Sequence, residues 1–314
     1  MKKASVILIF ISALLVFTLC ACGGADDSSK SDSVKFTDAL GREVSVNKNP
    51  ERVCALIGSF ADVWMLSGGA LCAAPRDAAE DFGIDMTDMT NIGGAHSPSL
   101  ELIIASDPDL VLASASTASN VEMLDALTSL GITVAYFDVD NFDDYLAMLD
   151  ICTEITERRD LYKQNGTDIL DGINAIKARY ESDGVPENER RVLLLRASSG
   201  FVKAKGSRGT VLGEMLADMG CVNIADSDNS LLETLSVEAV IEAEPYHIFV
   251  TTMGNDSEAA HASLSNMINS NLAWSTLSAV KEGRVHIMDK SLFNLKPNAR
   301  WAEAYEVLYE ALGK

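Results

Sequence analysis

Two stretches of this 314-residue chain repeat one another, and that repeat limits the folds open to it more than any single motif does. In the first half, an apolar run at residues 52–57 reads as a strand, and a helical segment from Phe60 stops at Gly68 and Gly69. The stretch SPSLELIIASDPDLVLA then predicts a helix from about Ser99, a stop near Pro108 and a strand over residues 110–113. The second half has the same order, with a strand at residues 191–196 and a helix over 210–219 stopped by Gly220. There LSVEAVIEAEPYHIFV predicts a helix from about Ser236, a stop near Pro245 and a strand over residues 247–250. Glu101 lies seven residues before Pro108, and Glu238 seven before Pro245. Each half closes on a further strand led by a glycine, Gly131 and Gly283. Strands alternating with helix-length segments build βαβ units and largely parallel sheets. The expectation is an α/β protein of two similar lobes.

Between the repeats, Leu161, Ile169, Ile173, Ile176 and Tyr180 recur at helical spacing. They predict one helix over residues 157–180, roughly 36 Å long at 1.5 Å per residue. Gly166 and Gly172 weaken it by about 1 kcal/mol each relative to alanine, so packing on both lobes has to hold it. The expected organisation is a signal peptide at 1–21 and a lipidated cysteine with a flexible linker at 22–35. An N-terminal lobe at 36–156, a bridging helix at 157–183 and a C-terminal lobe at 184–314 follow.

The N-terminus points to export. Lys2 and Lys3 precede an apolar run over residues 4–19, a secretory signal pattern too short for a stable span. Leu19-Cys20-Ala21-Cys22 resembles the lipobox of bacterial lipoproteins, which predicts cleavage after Ala21 and acylation, palmitate included, on Cys22. Residues 23–33 are small and polar and lack the apolar surface that offsets ordering entropy. No later run of about 18 apolar residues offers a span, so the outer face of the cell membrane is the expected location, held by the lipid alone. Without Lys2 and Lys3, 23 basic residues face 46 acidic ones, a formal charge of −23. Nucleic acid needs a basic face and is excluded as a partner. Cys54, Cys72, Cys152 and Cys221 have no metal-ligand spacing. Three of them lie in apolar runs and read as small buried hydrophobes, while a Cys54–Cys72 disulfide stays open.

FTDALGREVSVNKNPERV, SPSLELIIASDPDLVLA, EITERRDLY and the second Ser-x-Glu block, in this order, resemble the iron-siderophore, haem and cobalamin substrate-binding proteins of ABC importers. The resemblance covers the chain after the signal and implies two Rossmann-like lobes joined by the single long helix with the ligand cleft between them, in a monomer that delivers its ligand to a permease dimer with its ATPase. It also implies docking on that permease through Glu101 and Glu238. Each glutamate lies in the first turn of its helix, where the positive end of the helix dipole favours a carboxylate on its own account.

In open α/β sheets the ligand sits beyond the carboxyl ends of the strands. That rule selects Ser59, Phe60, Arg76, His96, Ser116 and Phe142 in the first lobe. In the second it selects Phe201, Lys203, Lys205, Arg208, Met253, Phe293, Lys296, Arg300 and Trp301. In so acidic a chain these basic residues suit an anionic ferric siderophore, because guanidinium and ammonium groups bind carboxylate or catecholate oxygens by charge-assisted bonds. His96, with Met253 across the cleft, offers the axial pair of a haem site, and the aromatic residues offer a lining for a corrinoid. No resident cofactor and no catalysis are expected, since the four histidines lack a recognisable catalytic partner and no nucleophile elbow or zinc-helix motif occurs. An adhesion or sensory lipoprotein of the same fold is the remaining alternative. Cys22→Ser is expected to abolish incorporation of a palmitate analogue and release the protein from cells; continued labelling would contradict the assignment of Cys22.

Overall fold

The computed structural model describes residues 32–254 and 256–313. The expected signal peptide, Cys22 and most of the expected linker lie outside the described residues. The linker boundary itself moves: Ser33–Thr37 is a strand paired antiparallel with Glu43–Asn47, Ser33 opposite Asn47, so residues 33–35 belong to the fold.

Two sheets carry the fold. The first has five parallel strands in the order Thr90–Asn91, Ala73–Ala74, Val53–Ala55, Leu110–Ser114 and Thr133–Phe137. The second has Arg191–Ala197 and His247–Thr252 at its centre, Val285–Ile287 parallel on one side and Val202–Lys205 antiparallel on the other. A short strand, Val222–Asn223, also pairs in parallel with the start of Arg191–Ala197. Helices cover both faces, and a strand buried on both faces reads as an unbroken apolar run.

Residue alternation sorts those runs between three cores. Cys54, Val111, Ala113, Val134 and Tyr136 point into a core on the outer face of the first sheet. Leu193, Leu195, Ile248 and Val250 do the same for the second. The residues between them, Val53, Ala55, Leu110, Leu112 and Ala135 from one sheet and Val192, Leu194 and Phe249 from the other, enter a single shared core. Ile173, Ile176 and Tyr180 fill it from the central helix, and Trp301, Tyr305 and Leu308 from the C-terminal helix Trp301–Leu312.

The segment between the two sheets is helical, but it is not one α-helix. Arg159–Tyr162 is α, Lys163–Thr167 is a π turn, and Asp168–Ser182 is α again. The helix starts at Arg159 rather than 157, because Glu157 takes φ 56°, a left-handed conformation that breaks the ladder from Phe142–Ile155. Gly166 sits in the π turn, where an added Cβ would lie 2.8 Å from Leu146 Cδ1. Its cost in helix propensity is therefore offset by the close approach of Phe142–Ile155. That helix begins with a reciprocal capping box between Asn141 and Asp144.

Cys54, Cys152 and Cys221 are free and buried, and Cys72 is free and half-buried. Burial pushes the Cys221 thiol up to about 12 and raises the others as well. Among the described residues no helix is long and apolar enough to cross a membrane.

His247 lies fully inside, its Nδ1 3.0 Å from Nε2 of His286 on the neighbouring strand. Burial, then His286 and the buried Arg284, push His247 down to about 4. The unfolded chain takes up this proton near pH 6.5 and the folded chain only near 4, so the contribution to stability is full above pH 6.5 and is lost as pH falls toward 4. The loss amounts to no more than about 3 kcal/mol. Urea unfolding of His247→Gln is expected to show a shallower decline between pH 6.5 and 4.5 than the wild type; equal declines would contradict it.

Candidate functional site

A crevice forms where successive strands of an open sheet depart in opposite directions. In the first sheet the chain moves from Val53–Ala55 outward to Thr90–Asn91, then crosses back to Leu110–Ser114. In the second it moves from Arg191–Ala197 to Val222–Asn223, then crosses to His247–Thr252. The switch points are therefore flanked by Gly58, Ser59 and residues 114–117 in one lobe, and by residues 197–201 and 252–254 in the other. Polar contacts join loops beyond these carboxyl ends. Lys290 Nζ lies 3.0 Å from Asp81 Oδ1, Lys296 Nζ 3.5 Å from Asp140 Oδ1, and Asn298 Nδ2 donates to the Ser59 carbonyl at 3.0 Å. These contacts bring the segment that follows the second sheet onto the carboxyl ends of the first, which makes the space between the two switch points the candidate cleft.

The first-lobe wall is mostly neutral and locally rigid. The Gly58 N–H donates to Asp77 Oδ2 at 2.8 Å, and a Cβ on Gly58 would stand 2.7 Å from that oxygen, so only glycine fits. Ser59 follows, buried at the start of Gly58–Leu66. Asn120 Oδ1 accepts from the Ser114 N–H at 3.0 Å, and Ser114 Oγ lies 3.1 Å from Ser116 Oγ, which leaves Ser116 exposed on a braced loop. His96 is exposed at the turn between Gly93–Gly94 and Ser97–Pro98, and Arg76 is exposed beside Gly94.

The second-lobe wall is basic. Arg196 stands opposite Lys203, and Lys205 opposite Leu194, so alternation puts all three cations on one face of the sheet. Arg196 is half-buried, and its buried Nε has no hydrogen-bond partner among the described residues. Burial lowers its pKa. Lys205 is pushed down as well, first by burial and then by repulsion from Arg196 and Lys203. None of the three has a carboxylate within salt-bridge distance among the described residues. Phe201 is 39% exposed with Lys203 Nζ 5.4 Å from its ring centre, and Met253 is 45% exposed.

Several expected contacts lie elsewhere. Phe60, Phe293 and Trp301 are each 1% exposed, and Phe142, at 4%, packs edge-on against Trp301. Their rings fill the core, Phe60, Phe142 and Trp301 turned inward by the helices that begin there and Phe293 by the end of Lys290–Phe293, so they do not line the switch-point crevices. Of the other expected cations, Lys296 is engaged by Asp140, Arg208 by Glu214 at 2.9 Å and Arg300 by both oxygens of Glu303 at 2.7 Å, whereas exposed Arg76 has no carboxylate within salt-bridge distance among the described residues. Sequence reading passed over Arg196, although a charge closing the apolar run VLLL was a signal of an unusual strand end. It also passed over Lys290, Asp62 and Asn298. Glu101 and Glu238 are exposed in the first turns of Leu100–Ala105 and Val237–Ala243. Ser99 and Ser236 cap those helices, and backbone and Ser236 hydrogen bonds hold the Glu238 carboxyl below its ordinary value.

A separate cavity of about 410 Å³ lies against the central helix, between Asn141–Asp143 of the first lobe and Arg208 and Glu214 of the second. It shares only Phe142 and Arg208 with the expected contacts. Its lysine is already engaged, since Lys177 pairs with Asp218, which also accepts from the Tyr305 hydroxyl at 2.7 Å. The unpaired cations at the switch points are the stronger candidate.

The chain belongs to the periplasmic binding protein family, whose pattern matches residues 69–292. The Fe(3+)-citrate-binding protein YfmC of Bacillus subtilis (strain 168) is 25% identical over 303 residues, 92% of this chain and 90% of that protein. The uncharacterized ABC transporter substrate-binding lipoprotein YvrC of the same organism is 22% identical over 313 residues, 95% of this chain and 94% of its own. Among solved structures, Staphylococcus aureus SirA complexed with staphyloferrin B superposes with a TM-score of 0.67 at 20% identity, over 89% of this chain and 98% of SirA. That likeness supports the two-lobed fold.

An unpaired, half-buried guanidinium next to two lysines weakens the ligand-free fold. Arg196→Met is expected to leave the thermal midpoint unchanged or raise it by about 1–3 °C, read by circular dichroism; a clear drop would show that Arg196 serves stability rather than a ligand.

Proposed function

We propose that this protein captures an anionic ferric chelate, most simply a ferric siderophore, outside the membrane and hands it to an ABC permease. The observation that supports this reading is the set of Arg196, Lys203 and Lys205 on one cleft wall without a carboxylate to neutralise them. An anionic chelate would supply the missing countercharge and relieve the repulsion from Arg196 and Lys203 that adds to burial in depressing Lys205, while exposed Phe201 and Met253 offer contact to its organic part. The Fe(3+)-citrate and staphyloferrin B in the names of similar proteins agree with this chemistry. Saturable quenching of intrinsic fluorescence by ferric citrate or a ferric catecholate is expected, weakened at least about tenfold in Arg196→Ala, since losing one charged hydrogen bond costs about 1.5–3 kcal/mol. Equal binding by Arg196→Ala would contradict the reading.

A second reading, haem, has its own support in exposed His96 on one lobe and exposed Met253 on the other. A Soret shift with haemin that disappears in His96→Ala would replace the chelate reading.

In the same account the lipid on Cys22 keeps the protein near its importer, the segment 159–182 bridges the lobes, and Glu101 and Glu238 dock one lobe each on the two halves of the permease. Reversing both charges, Glu101→Lys with Glu238→Lys, is expected to abolish ligand uptake by cells with affinity unchanged; normal uptake would contradict the docking role.

A further inference from the structure

The segment that leaves the second sheet after Val285–Ile287 does not return directly to its own lobe. Met288 still donates to Val250 of that sheet, and the C-terminal helix Trp301–Leu312 packs in the shared core. Between them the chain touches the first lobe at three places, each with a polar side chain and each beyond a strand's carboxyl end. Lys290 meets Asp81 at 3.0 Å, past Ala73–Ala74. Lys296 meets Asp140 at 3.5 Å, past the edge strand Thr133–Phe137. Asn298 Nδ2 donates to the Ser59 carbonyl at 3.0 Å and to Asp62 Oδ2 at 2.8 Å, past the central strand Val53–Ala55.

We propose that residues 289–298 form a strap across the carboxyl ends of the first sheet that sets the separation of the cleft walls, with Asn298 as its positioning residue. Three features support a dedicated role. Asn298 is 1% exposed and takes φ 50°, a left-handed conformation that asparagine tolerates better than most residues and that turns the chain into the C-terminal helix. Its amide holds the backbone of Ser59, beside the first-lobe switch point, so a residue that follows the second sheet fixes the start of the helix Gly58–Leu66 on the opposite wall. The two lysine pairs are only 24–35% exposed, so solvent screens them less than a surface pair. Leu292 and Phe293 of the strap enter the shared core beside Ile173 and Ile176 of the central helix, so the strap ties that core to the carboxyl ends of the first sheet, where its three polar contacts oppose parting of the walls.

The test needs no ligand. Spin labels at exposed Leu130→Cys and Leu272→Cys, with Cys22 and Cys72 replaced by serine, report the distance between the lobes by pulsed electron resonance. The wild-type strap is expected to give one narrow distribution, and Lys290→Ala with Lys296→Ala and Asn298→Gly, which keeps the positive φ accessible, a broader or shifted one at unchanged circular dichroism. Lys296→Asp alone is expected to broaden the distribution, and adding Asp140→Lys to narrow it again, a rescue that general destabilisation would not give. A distribution unchanged in the triple variant, or a charge swap that fails to restore the narrow one, would overturn the proposal.

Discussion

The shared apolar core is the constraint on which the rest of the structure depends. Each sheet turns one face outward to its own helices and the other inward, where Leu110 and Leu112 from one lobe and Val192 and Leu194 from the other are sealed by the same central and C-terminal helices. Neither inner face is covered by elements of its own lobe alone. Because burying these side chains stabilises by about 1.5–3 kcal/mol each, the lobes cannot part at this level without exposing both. The cleft is then a consequence: the sheets are joined along their inner faces and open at the carboxyl ends of their strands, where loops rather than core residues meet.

That geometry accounts for the division of labour between charged residues. In so acidic a chain most cations are engaged by nearby carboxylates, as Lys177 is by Asp218 and Arg300 by Glu303. Arg196, Lys203 and Lys205 escape because they project from strands rather than from helix surfaces lined with glutamate and aspartate. Polar side chains left without partners at such cost are characteristic of sites shaped for a ligand rather than for stability.

The repeat made the two sheets legible, since a strand buried on both faces has to be apolar throughout and LVLAS and RVLLLRA are nearly so. Ser99 and Ser236 before their glutamates gave both helix starts, because a serine cap acts locally. Four of the five aromatic residues expected at the loops, Phe60, Phe142, Phe293 and Trp301 but not exposed Phe201, were misplaced for the opposite reason: whether such a ring turns outward or into the core depends on packing between lobes, which local sequence does not encode. The π turn at Lys163–Thr167 was equally hidden, since it answers the close approach of Leu146 to Gly166, a tertiary contact. The partners of Lys290, Lys296 and Asn298 lie more than 150 residues away in the chain, so spacing gave no sign of them.

The central claim is that ligand occupies the cleft between the two switch points and rests on the basic wall. Hydrogen–deuterium exchange of the purified protein, with and without a saturating ferric chelate, tests it most directly. The account predicts slowed exchange in residues 196–205 of the second lobe together with 93–98 and 114–117 of the first. Protection confined to one lobe, or centred on the cavity beside Lys177 and Asp218, would contradict it.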